Sequence, residues 1–172
     1  MFLTVLDLIL ILALFIFIAF GFTLGLIEAI GAIIGVFAGA FVANLFFVDF
    51  ANFLTPIFLG NKIAAEIVSF ALIFFIVNRL VGLIFHVVGK VFNLIAIIPF
   101  VKTFNRLLGA IFGLIEGILV LGLMIIFIFS LNVSLWVNNI IDASVVANWL
   151  TTAAGFLIPL IPEVINQAKQ VI

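Results

Sequence analysis

An all-α membrane protein is predicted, four transmembrane helices in a compact bundle followed by C-terminal amphipathic, interfacial helices. Three features predict it. Of the 172 residues, 69% are apolar and 8% charged, and the mean hydropathy is +1.67. A water-soluble domain coats itself with about a quarter charged residues, so a soluble fold is excluded. Four apolar runs, 3–20, 26–48, 63–88 and 107–129, approach or exceed the roughly 20 residues that carry a helix across hydrocarbon. The runs are continuous rather than alternating, and only helices or closed barrels satisfy the backbone in lipid, so the barrel is excluded as well.

The first run has no basic stretch before it, carries Asp7 within its first turns and lacks a small-residue cleavage site, so it reads as a retained helix. The second contains Gly31, Gly35 and Gly39, with Ala32, Ala40 and Ala43 adjoining, and the fourth repeats the device with Gly109, Gly113 and Gly117. Four-residue spacing stacks glycines on one helix face and lets a second backbone approach closely, which is how helices associate in lipid. Each set therefore marks a packing seam, facing either another helix of the same chain or one of a second copy. Residues 1–130 form the four-helix domain on this reading, and 131–172 an interfacial tail. The tail holds the two tryptophans, Trp136 and Trp149, where an aromatic belt would place them. Asp142 or Ser144 can cap a helix that Pro159 and Pro162 end, and a last amphipathic helix begins at Pro162. Both pieces fit helices lying along the membrane surface, the alternative being a re-entrant segment over 149–161.

Orientation follows from basic residues near the span ends. Lys90, Lys102 and Arg106 fall in the loop 89–106 and only Lys62 between helices two and three, so the former loop is expected in the cytoplasm and both termini outside.

Ionisable residues at membrane depth cost roughly 2.5 to 3.5 kcal/mol or more and are tolerated for pairing or function. Arg79 and Glu116 each lie nine residues from the expected cytoplasmic end of their helix, about 13.5 Å inward at 1.5 Å per residue. Equal depth makes them a candidate intramembrane ion pair, with Asn78 nearby. The competing reading ends helix three near Arg79 and lets its side chain snorkel to the headgroups. Glu28 falls in the first turn of helix two, where a carboxylate complements the helix dipole. Asp7 and Glu66 sit one turn inside the outer boundary, within reach of water. His86 is the only histidine and reads as an interfacial polar residue, since a lone imidazole is a poor metal site.

Six basic residues scattered over a chain of net charge −1 give no footprint for nucleic acid. Cysteine is absent, which removes disulfides and thiol chemistry. No nucleophile–base pair, phosphate loop or metal-protease spacing occurs, so neither catalytic activity, cofactor nor metal is expected. The expected partners are the lipid bilayer and, beyond it, a homo-oligomer or other membrane proteins.

Residues 21–30, GFTLGLIEAI, and 109–118, GAIFGLIEGI, share Gly, Gly, Leu, Ile, Glu and Ile at equivalent positions. Duplication of a helical unit would produce this echo, as would chance likeness between glycine-rich apolar stretches. Leu6–Asp7 before the first run, Gly21 and Gly25 at the first connection, the glycine- and alanine-rich second helix, and above all the segment Asn105, Arg106, Leu107, Leu108, Gly109 running on to Gly117 resemble the colicin V production protein (CvpA) family. Trp136, Ser144 and the proline pair of the tail are similar too. The resemblance implies a bacterial inner-membrane protein needed for colicin V production or export and, more generally, for envelope function. A small oligomeric transporter or channel using Arg79 and Glu116 is the alternative.

Overall fold

A computed structural model describes residues 3–95, 99–130 and 134–160. The elements are helices α1 (Val5–Leu24), α2 (Leu26–Leu54), α3 (Lys62–Ile95), α4 (Pro99–Ser130), α5 (Leu135–Ala143) and α6 (Val145–Ala154), closed by a 3-10 turn at Gly155–Leu160. Four of these helices, α1 to α4, are long and apolar enough to cross a membrane. The last helix expected from Pro162 lies outside the described residues.

Local chemistry sets the breaks. Thr4 opens α1 with a reciprocal capping box: its hydroxyl accepts from the Asp7 N–H, and the Asp7 carboxylate accepts from the Thr4 N–H. A single residue, Gly25, joins α1 to α2 at φ +89°, a conformation that a side chain would strain. The expected loop 89–106 is instead mostly helix, α3 running on to Ile95 and α4 starting at Pro99. Proline is suited to a first helical turn, and Lys90, Lys102 and Arg106 are good helix formers, so basic residues that read as loop sit on helix ends. With 34 and 32 residues, α3 and α4 are about 50 Å long, well beyond the roughly 30 Å of hydrocarbon, and carry these charges toward water.

Packing follows the glycines. A Cβ on Gly31 would strike the Phe85 ring, one on Gly35 the Asn78 side chain, and one on Gly39 would come within 2.9 Å of the Phe74 carbonyl. This seam joins α2 antiparallel to α3. On α4, Gly109 lies against the Gly21 carbonyl, Gly113 against the Phe17 carbonyl and Gly117 against the Phe17 side chain, joining α4 antiparallel to α1. Both seams are therefore within the chain. The two echoing segments cross one another here, with Gly21 on Gly109 and each also touching the other's following glycine, Gly25 or Gly113. Between the two pairs α2 runs parallel to α4, and their shared core holds Val36, Ala40, Phe47, Leu123 and Phe127, with Phe70 and Phe74 of α3.

The tail divides in two. Helix α5 lies at 89° to α6, with Leu135 and Trp136 exposed, whereas α6 turns in against α4 and α1. Ala147, Leu150, Ala154 and Leu157 are fully buried, and Gly122 of α4 makes room for Leu150 and Ala154. Phe156 reaches Phe37 in the middle of α2, ring centroids 6.1 Å apart. This packing arises because α6 carries a stripe of small and aliphatic residues at helical spacing that fits the glycine notch.

Candidate functional site

The segment with Asn105, Arg106 and Gly109 builds the junction between α1 and α2. Gly25 offers no side chain to cap α2, and the Asn105 Oδ1 of α4 accepts from the Leu26 N–H at 3.1 Å instead. Arg106 lies over the Phe22 ring, 5.8 Å from its centroid, and Gly109 admits the Gly21 backbone. Three positions of one helix thus clamp a one-residue connection. Asn105→Ala is expected to lower stability by about 1 kcal/mol, as loss of a cap does, and to fray the start of α2; thermal unfolding in detergent with hydrogen exchange at Leu26 and Ile27 measures both.

At the opposite end Asp7 is a hub rather than a water-reaching carboxylate. It is fully buried and accepts four hydrogen bonds. Oδ2 takes the Thr4 N–H at 2.7 Å and the Thr4 hydroxyl at 2.9 Å, while Oδ1 takes the Ser144 hydroxyl at 2.6 Å and the Val146 N–H at 2.8 Å. Ser144 also caps α6 by accepting from the Ala147 N–H at 3.0 Å. The carboxylate therefore caps its own helix and faces the positive end of a second one, 137 residues further along the chain.

Between these ends lies a cavity of about 390 Å³ bounded by α1, α2, α3 and α4. Its ionisable lining comprises Glu28, His86, Arg79 and Glu116, with Asn78 beside them and Phe17, Phe20 and Phe75 among the apolar walls. His86 is not a lone imidazole, because its Nδ1 lies 2.7 Å from the Glu28 Oε2. Gly89, one turn on from His86, leaves the space that the Glu28 side chain occupies. Glu66, also expected near water, is buried and pairs with Lys62 at 3.7 Å.

Arg79 and Glu116 share this cavity, but among the described residues no ion pair joins them. The reason is architectural. Helix α3 packs its backbone on α2 and meets α4 through long side chains, Phe70 stacking on Phe127, so Arg79 and Glu116 line a shared space without a salt bridge. Arg79 and Phe75 also line a shallow depression on the outer face of α3, so the cavity wall at Arg79 borders the lipid-facing surface.

The fold and the cavity define a polytopic α-helical membrane protein with a half-open cleft of ionisable residues among its helices. Residues 6–155 match the family model described as colicin V production protein, which takes in all four long helices, α5 and α6. The chain belongs to the colicin V production protein family. Searches of curated proteins and of solved structures returned no match.

Proposed function

We propose that this chain resides in the bacterial cytoplasmic membrane and supports colicin V production or export, and more broadly envelope function, as a non-enzymatic factor. The observation that carries the reading is the family match across residues 6–155. Lys90, Lys102 and Arg106 favour an orientation with the α3–α4 connection in the cytoplasm and both termini outside. The partners are the bilayer and other membrane proteins or further copies of the chain, met through its exposed apolar faces. In a colicin V-producing strain, deletion of the gene should abolish toxin in the medium and the intact chain should restore it. Undiminished toxin from the deletion strain would remove the reading.

A second reading, a small transporter or channel, is favoured by the cavity itself. Glu28, His86, Arg79 and Glu116 gathered within one space are what a membrane-embedded route for ions or solute requires.

A further inference from the structure

The polar lining does not stop at the cavity. Antiparallel packing of α2 on α3, with Gly35 at Asn78 and Gly39 at Phe74, carries on in register to place Asn44 level with Ser69. Both are buried, at 5% and 0% exposure, and neither the Asn44 Oδ1 nor the Ser69 Oγ has a hydrogen-bond partner. Glu66, one helical turn from Ser69, is 4% exposed, and its Oε1 accepts no hydrogen bond, lying 3.7 Å from the Lys62 ammonium. Buried oxygens without hydrogen-bond donors are rare in folded proteins, and each calls for an explanation.

On α3 the Phe74 and Phe70 positions fall between the cavity and Ser69, while on α2 Phe47 lies one turn beyond Asn44. Phe47, Phe70, Phe74 and Phe127 are at most 1% exposed. Phe70 stacks on Phe127 at 3.9 Å and runs parallel to Phe74 at 6.2 Å, while Phe47 meets Phe70 and Phe127 edge-on. Along α3 the order is His86, Arg79 and Asn78, then Phe74 and Phe70, then Ser69 and Glu66. From 86 to 66 the helix rises about 30 Å, the thickness of the hydrocarbon core.

We propose that the α2–α3 seam is a proton path through the bundle, with Glu28, His86 and Glu116 exchanging protons with the cavity, the phenylalanine cluster closing the middle, and Ser69, Asn44 and Glu66 serving the far half. This deepens the transport reading and rests on it. The Glu28–His86 contact lets a proton pass between Oε2 and Nδ1 with no other movement. A solute would need a tunnel through four packed rings, whereas a proton needs only a brief file of water when a ring turns. Arg79 lines the same cavity as Glu28, His86 and Glu116, and Lys62 lies beside Glu66 at the far end.

The test uses the full chain in proteoliposomes loaded with a pH-sensitive dye, with proton entry driven by a potassium gradient and valinomycin. Phe74→Ala should raise the flux about tenfold over the unaltered chain, and adding Glu28→Gln or His86→Gln should return it to that of protein-free vesicles. Phe74→Leu serves where the alanine variant does not elute as the unaltered chain does. Folded Phe74 variants that leak no more than protein-free vesicles, or a leak indifferent to Glu28 and His86, would overturn the proposal. Labelling of Leu83→Cys by an impermeant thiol reagent separates the two failures. Labelling without proton flux overturns the proton path and leaves a wet cavity for the transport reading, and protection without flux removes both.

Discussion

Asp7→Ala is expected to release α6 from the bundle and to cost roughly 2–4 kcal/mol of stability. Interhelical hydrogen bonds in membranes average only about 0.6 kcal/mol each, so a single lost contact would pass almost unnoticed. Asp7 differs because its removal takes the acceptor from four donors at once, the Thr4 N–H and hydroxyl, the Ser144 hydroxyl and the Val146 N–H. Ser144→Ala removes one donor and the α6 cap, and should cost about 1 kcal/mol. Unfolding in detergent measures both losses, and cleavage by a protease added to micelles reports whether α6 has come away. An Asp7→Ala protein that unfolds with the unaltered one and resists cleavage equally would show that the hub does not hold the tail.

Gly109→Ala should cost roughly 1–3 kcal/mol, whereas the same change at Gly82 should be neutral or stabilising by up to about 1 kcal/mol. The substitution adds one methyl to a helix in both cases, and alanine is the better helix former, so local propensity favours both variants. The difference is what the methyl meets. At Gly109 it runs into the Gly21 carbonyl and lies 2.7 Å from the Gly25 Cα, which are backbone atoms that cannot turn aside, so α1 and α4 must separate. At Gly82 nothing lies within 4 Å. Equal effects at the two positions would mean that the α1–α4 seam is not where the helices meet.

The helices were legible because hydrocarbon imposes a length and an apolar composition that can be read residue by residue. The seams were legible as faces, Gly31, Gly35 and Gly39 on one helix and Gly109, Gly113 and Gly117 on another, but spacing does not say which helix answers, and the intrachain pairing emerges only from α1 and α3. The segment Asn105, Arg106, Gly109 stood out as a motif without its purpose, because the group it caps, the Leu26 N–H, belongs to a helix 79 residues earlier. Matching depth put Arg79 and Glu116 in one cavity but could not foresee that α3 lays its backbone on α2 rather than α4, so the two line a shared space and form no salt bridge. The same depth argument applied to Glu28 and His86 would have found the pair that does form. Ser144 was visible as a cap residue and Asp7 only as a carboxylate near the outer boundary, and their union was not visible, since only the inward turn of α6 brings them together.

The account turns on a tail that folds back into a four-helix bundle, and the absence of native cysteine makes this directly measurable. A lone cysteine at Leu157, which is fully buried, probed in sealed vesicles with an impermeant maleimide added to either side, is predicted to stay unlabelled until detergent and denaturant open the bundle. Prompt labelling from one side in intact vesicles would place residue 157 in water and contradict the inward path of α6.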